Sequence, residues 1–144
     1  MMRISTKGRY SLIALLYIAL LKKGNYASAR EISDATGISE GYLEQLFIAL
    51  RKSGIIQGVR GPQGGYFLER DANYIAVGEI LRSVEGSLSP TECVNSRSCP
   101  NEQTCSSRQT WDNLNEGIRS FVDSITLADL VHDYAVNDEP EYAI

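Results

Sequence analysis

Residues 28–53 read SAREISDATGISEGYLEQLFIALRKS, and this stretch decides the fold. Ser28 followed three residues later by Glu31 is a capping-box pattern, in which a hydroxyl and a carboxylate satisfy the free amides of a helix start. A short helix is expected to follow, with Ile32 and Ala35 turned inward, and Gly37 ends it because glycine enters the left-handed conformation without a Cβ penalty. Ser39 then caps a second helix running to about Ser53, with Leu43, Leu46, Phe47 and Leu50 at spacings of 3, 1 and 3 on one face. Two short helices, a Gly turn and apolar anchors at Ile32, Ile38, Leu43 and Leu46 make a helix-turn-helix. An ordinary helical hairpin in a core shares that pattern, so the outward face of the second helix decides. Ser39, Glu40, Tyr42, Glu44, Gln45 and Arg51 carry hydrogen-bonding groups suited to base edges and phosphates.

Working outward, IIQGVR (55–60) and GYFLER (65–70) flank a Gly-Pro-Gln-Gly turn and predict a β-hairpin. The glycine spacing fits neither a phosphate loop nor a dinucleotide fingerprint. A hairpin just past a recognition helix is a wing, and Arg60 at its tip is placed to enter a narrow, electronegative minor groove. On the other side, residues 12–21 form an apolar run preceded by Arg3, Lys7 and Arg9. An export signal is disfavoured because Lys22 and Lys23 follow directly. The run predicts a first helix that is apolar nearly all round because other elements pack on both sides of it. No apolar stretch in the 144 residues reaches the roughly 18 that a membrane span needs.

Charge supports the same reading. The net charge of −4 hides ten Lys/Arg against five Asp/Glu in residues 1–70, and four against thirteen in residues 71–144. A basic half suggests a polyanionic partner. Residues 1–85 are therefore expected to be a winged helix-turn-helix domain (helix-turn-helix 28–53, wing 55–70) that binds double-stranded DNA. Ser39, Tyr42, Glu44, Gln45, Arg51, Arg60, Lys7 and Arg9 are its candidate contacts.

All three cysteines, Cys93, Cys99 and Cys105, fall in one polar segment with five residues between each pair. A buried structural cysteine prefers apolar neighbours, and these sit among Ser, Asn, Glu and Gln. Disulfides suit an odd count poorly, and a DNA-binding protein works in a reducing cytoplasm. Thiolates on a polar loop suit an iron–sulfur cluster. Zinc remains open although tight Cys pairs are missing, and so do metal-free thiols. A link helix through Val77, Ile80, Leu81 and Val84 ends near Gly86 and leads into this loop, 86–105. Trp111, Leu114, Ile118, Phe121 and Ile125 then recur at spacings of 3, 4, 3 and 4 on a long helix, with Glu116, Arg119 and Asp123 outside the seam. Such a stripe can pack within its own domain. The chain has little left to cover it, so region 106–135 is expected to pair with a second copy. Thr126 to Asp129 starts one more capped helix, and 136–144 is expected to be a loose tail. The expected class is mostly α with one small hairpin.

These stretches together resemble the IscR-type iron–sulfur regulators, in a bacterial winged-helix group that also holds the nitric-oxide sensors NsrR and the cysteine regulators CymR. The resemblance is carried by MRISTKGRY (2–10), YLEQLF (42–47), VRGPQGGY (59–66), IAVGE (75–79), the three-cysteine segment and ITL (125–127). It implies a homodimer with a cluster on Cys93, Cys99 and Cys105, of the 2Fe–2S rather than the 4Fe–4S type. It also implies that Tyr42, Glu44, Gln45 and Arg60 meet promoter operators, and that the protein senses cluster status to control cluster-assembly genes as a repressor or activator. CymR-type members lack the cysteines, so that branch fits badly. One departure stands out. The group's cluster-completing His, three residues after the last Cys, is Arg108 here, and a guanidinium has no lone pair to give. The acidic residue that NsrR-type members use near the N-terminus is replaced by Lys7-Gly8-Arg9, and His132 lies far along the chain. Glu102, Asp112, a hydroxyl or a partner-subunit group remain as candidates for the fourth ligand. Nitric-oxide or redox sensing is the alternative within the group. A small electron-transfer iron–sulfur protein leaves the basic half and the wing unexplained, and so does an enzyme, since no catalytic constellation stands out.

Overall fold

The computed structural model describes residues 2–96 and 104–137. Helix α1 spans Thr6–Ala19, α2 Ala29–Thr36 and α3 Glu40–Lys52, followed by strands β1 (Ile56–Val59) and β2 (Gly65–Leu68). A single 3-10 turn at Ala72–Tyr74 leads to α4 (Val77–Glu85), α5 (Glu92–Ser96), α6 (Arg108–Ser124) and α7 (Leu127–Val136). The caps follow the sequence. The Ser28 hydroxyl accepts from the Glu31 amide at 3.1 Å, Gly37 closes α2 at φ +82°, and the Ser39 hydroxyl accepts from the Tyr42 amide at 3.3 Å. Ile32 is buried as expected. Ala35 is exposed instead, because only one stripe of so short a helix faces inward.

The main core gathers Ala14, Leu15 and Ile18 of α1, Ile32 of α2, Leu43, Phe47 and Leu50 of α3, Ile56 of β1 and Ile80 of α4. Helix α1 packs against α2, α3, β2, α4 and α7, which is why its sequence is apolar on most sides. Its Gly8 faces Leu81 and Glu85 so closely that an added Cβ would lie 3.0 Å from the Leu81 side chain. Leu127 of α7 returns to this same core and is fully buried.

The hairpin pairs Ile56 with Leu68 and Val59 with Gly65 in antiparallel register. A third segment is attached to it. Ala27 donates to the Tyr66 carbonyl at 3.1 Å and accepts from the Tyr66 amide at 2.7 Å. A Cβ on Gly65 would lie 2.5 Å from the Ala27 carbonyl carbon, so only glycine lets the two backbones meet.

A second, smaller cluster of Val77, Leu81 and Leu88 joins α4 to α6 and α7 through Ile118, Val122, Ile125 and Leu130. Two departures from the sequence reading arise here. Helix α6 stops at Ser124, and Ile125 is extended, its carbonyl accepting from the Val77 amide at 2.8 Å. Ile125 thus belongs to a backbone tie between 75–77 and 125–127 rather than to the outer seam. Asp123, expected outside, turns inward to Arg82 of α4 at 2.7 Å. The cysteine segment also begins with the turn of α5, anchored by buried Val94, rather than as loop throughout. Residues 138–144, most of the expected loose tail, lie outside the described residues.

The Ala27–Gly65 contact makes a stability prediction. Gly65→Ala is expected to cost about 1–3 kcal/mol in urea unfolding, the usual penalty for overpacking. Gly41→Ala, at a helical site with open space around it, is expected to be neutral or to stabilise by up to ~1 kcal/mol. Equal midpoints for the two variants would contradict the close backbone approach.

Candidate nucleic-acid interface and thiol site

The attachment of Ala27 to the wing draws three pieces of chain into one cleft of about 340 Å³. Its walls are the first turn of α2 (Ser28, Ala29, Arg30), the outward face of α3 (Glu40, Glu44, Arg51) and the wing from Gly58 to Arg60. Three guanidinium groups against two carboxylates give the lining a positive balance. Arg51 reaches from α3 onto β1, its Cζ 3.8 Å from where a Gly58 Cβ would stand. The Phe47 and Tyr66 rings, 4.5 Å apart, pack α3 against the wing from beneath and fix the cleft's angle.

The predicted contacts divide between two flanks of α3. Glu44, Arg51 and Arg60 line the cleft. Gln45 and Lys7 share a shallow depression on the opposite side with Tyr42 and Ala49. Ser39 is exposed, with its hydroxyl engaged as the cap of α3, and Arg9 is exposed on α1. Tyr42 is half-buried. Its hydroxyl lies 3.0 Å from Thr6 Oγ1 and its ring meets Tyr10 edge-on at 5.7 Å, which seats α3 against α1. Ser28 and Arg30 also line the cleft and were not among the contacts expected from the sequence. The signal was available, because the first helix of such a motif starts beside the phosphate backbone and its N-terminal amides favour anions.

The start of α1 has a partner of its own. Helix α1 has no acidic residue in its first turn, and Glu85 at the end of α4 supplies one. Its carboxylate accepts from the Ser5 backbone amide and from the Ser5 hydroxyl, the latter at 2.6 Å. A polar line thus runs from the end of α4, through Ser5 and Thr6, to Tyr42 on α3.

Of the thiols, Cys93 is half-buried on α5 with Thr91 Oγ1 at 3.0 Å from its sulfur. Cys105 is half-buried with the Ser107 hydroxyl at 3.5 Å. Hydrogen bonds from the Ser107 hydroxyl and backbone hold the Cys105 thiol below its ordinary pKa, and the nearby Arg108 amide and charge act in the same direction. Cys99 and Glu102 lie outside the described residues. Arg108 opens α6, and its side chain pairs with Asp112 at 3.7 Å, so that carboxylate is engaged. His132 is exposed on α7. Among the described residues no three His, Cys, Asp or Glu side chains gather as a metal site.

The expected dimer residues split. Leu114 and Phe121 are 44% and 67% exposed and, with Met2, Thr110, Asn113 and Gly117, form an apolar groove along α6. Ile118 lies between that groove and the second core cluster. Trp111 is half-buried, its indole N–H donating to the Ser107 hydroxyl at 3.1 Å.

A recognition helix facing a cationic cleft closed by a wing is the architecture of a DNA-binding transcriptional regulator. Known proteins agree. Residues 4–133 match the model of the Rrf2 family, described as iron-dependent transcriptional regulators, and the chain belongs to that family. It is 43% identical over 131 residues to the HTH-type transcriptional regulator IscR of Yersinia enterocolitica, covering 91% of this chain and 80% of that protein. IscR of T. potens superposes with a TM-score of 0.74 at 35% identity, covering 98% of this chain and 95% of that one. CymR, the global cysteine regulator of B. subtilis, gives 0.77 at 33% identity, covering 92% and 98%. The protein is a regulator and not an enzyme, and among the described residues no helix is long and apolar enough to cross a membrane.

The cleft makes distinct predictions for its cation and its anion. Arg60→Ala is expected to weaken operator binding and to lower the log–log salt slope by about one per half-site, as measured by fluorescence anisotropy across a salt series. Glu44 accepts from a cytosine amino group but repels phosphate, so Glu44→Ala is expected to broaden the set of duplexes bound. Uniform weakening on every duplex would make Glu44 a support of the fold instead.

Proposed function

We propose that this regulator reads iron–sulfur status: Cys93, Cys99 and Cys105 hold a cluster, of the 2Fe–2S type, and a cytoplasmic homodimer binds promoter operators according to whether the cluster is present. The observation that carries the reading is a pair of half-buried thiols, Cys93 on α5, which contacts α6, and Cys105 just before α6, the latter biased toward thiolate. Thiolates are the soft donors that iron–sulfur clusters need, so the residues fit the group. The names of the relatives and the family description point the same way. CymR shares the fold as closely, so fold likeness alone does not choose the cofactor; the three cysteines do.

When bound, the cluster supplies a reversible cross-link among the three cysteines, and its binding free energy favours whichever protein shape holds them best. The chain's own residues carry that preference to DNA. Helix α5 contacts α6, α6 packs on α4, and Glu85 at the end of α4 bonds the start of α1, where Thr6 meets Tyr42 of the recognition helix. Tyr42 acts in this reading by seating α3. Ser39, Glu44, Gln45, Arg51 and Arg60 meet the duplex, with Lys7 and Arg9 contributing charge. Cluster-assembly genes are the regulated targets in this reading.

The test is anaerobic purification with iron and sulfide counted per monomer, an optical spectrum, and operator binding before and after cluster removal. Iron–sulfur absorption together with a cluster-dependent affinity is expected. Stoichiometric zinc, or an affinity indifferent to the cluster, would overturn the proposal. Each single Cys→Ser variant is expected to lose the cluster. Arg108→His, which places an imidazole where relatives of the IscR type have one, is expected to slow cluster loss to air or chelator and shift the visible spectrum. Faster loss would place the fourth ligand elsewhere and leave Arg108 as a charge that offsets the thiolates.

Dimerisation is assigned to the groove on α6, with a second copy of the chain as its occupant. Leu114 and Phe121 face outward, and burying each is worth roughly 1.5–3 kcal/mol. Ile118 is a poorer probe because it also serves the internal cluster. The double variant Leu114→Glu/Phe121→Glu is expected to sediment as a folded monomer with much weakened operator binding. A dimer that persists would remove α6 from the interface.

A further inference from the structure

The outward stripe of α3 consists of Gly41, Glu44, Gln45, Ile48, Arg51 and Lys52, all exposed. Four of these six are charged or amide side chains. Ile48 is not, yet it is 68% exposed, the only large hydrophobic of α3 that faces outward. A single exposed apolar residue on an ordinary surface needs no explanation. This one stands at the middle of the face that enters the groove, one helical turn past Glu44, where each neighbour has hydrogen-bonding capacity. An isoleucine there can neither donate nor accept, so pairing it with a base edge rich in donors and acceptors leaves those groups unsatisfied. The one apolar feature in the major groove of unmodified DNA is the C5-methyl group of thymine.

We propose that Ile48 is a specificity-determining residue that reads a thymine methyl group in each half-site. The inference rests on the reading of α3 as the recognition helix. One turn of helix advances about 5.4 Å and one base step about 3.4 Å, which places the thymine one or two base pairs from the pair that Glu44 reads. The two residues then discriminate in complementary ways. Glu44 rewards a cytosine amino group, and Ile48 rewards a methyl group and penalises an unsatisfied polar edge. Lys7 borders a depression on one side of this stripe and Arg30 lines the cleft on the other, so a cation able to reach phosphate stands on each side.

The experiment uses the full chain and a duplex enriched by the protein itself from a random library. Each thymine of one half-site is replaced in turn by deoxyuridine, which removes the methyl group and nothing else. For the parent, one such replacement is expected to weaken binding roughly fourfold, the effect of exposing one methyl-sized apolar group. Ile48→Ala is expected to lose a similar factor on the thymine duplex and to become indifferent to that replacement, while Ile48→Val keeps most of the discrimination. The side chain is exposed, so the variants should match the parent in circular dichroism. The inference is overturned if no deoxyuridine replacement affects the parent, or if the losses from Ile48→Ala and from the replacement simply add. A parent that enriches no sequence from the library would instead remove the reading of α3 itself.

Discussion

Two backbone hydrogen bonds between Ala27 and Tyr66 hold the DNA-facing side of this protein together. A two-stranded hairpin is marginal by itself, and the wing gains from Ala27 what a third strand would give it. Because Ala27 directly precedes the cap of α2, the same contact places the first turn of α2 against β2. Gly65 is the sequence requirement for that approach, since any side chain there would occupy the space of the Ala27 carbonyl. From this one junction follows the presence of both Arg30 and Arg60 in the lining of one cleft.

The recognition helix is clamped from both sides by aromatic residues. Phe47 meets Tyr66 under the wing, and Tyr42 meets Tyr10 and Thr6 on α1. Neither clamp uses a side chain of the outward stripe, so the face that meets bases is free to vary while the helix stays fixed. Helix α1 is itself held at its start by a carboxylate it does not own, Glu85. The orientation of α3 therefore depends on α4, the element immediately before the cysteine segment.

What the sequence made legible was local. Ser28, Gly37 and Ser39 mark helix ends because a cap needs only its own neighbours, and the hairpin follows from its Gly-Pro turn. The charge split and the polar setting of the cysteines were equally readable. Arg30, Ile125 and Asp123 were not, and for one reason. Each is placed by an element distant in sequence: Arg30 by the wing, Ile125 by the strand-like tie to Val77, and Asp123 by Arg82. A spacing of 3 and 4 along α6 defines a stripe but not which of two neighbouring faces α4 covers. Ile118, Val122 and Ile125 meet the second core cluster, whereas Leu114 and Phe121 remain outside. The register of the stripe was visible, and its division between an inward and an outward face was not.

The division of charge along the chain acquires a structural meaning in the fold. Two ion pairs tie elements together, and only one of them joins the basic half to the acidic half. Arg70 pairs with Glu79 across the junction, and Arg82 with Asp123 within the acidic half. Both pairs are partly exposed, so they contribute little to stability and mainly fix orientation. Arg30, Arg51 and Arg60 form no ion pair among the described residues and converge on one cleft, although Glu40 and Glu44 stand nearby. Three guanidinium groups gathered in one cleft give a protein of net negative charge a local cationic site for DNA. That asymmetry orients the encounter before any base is read, and it leaves the stripe of Glu44, Gln45 and Ile48 facing the groove when contact is made.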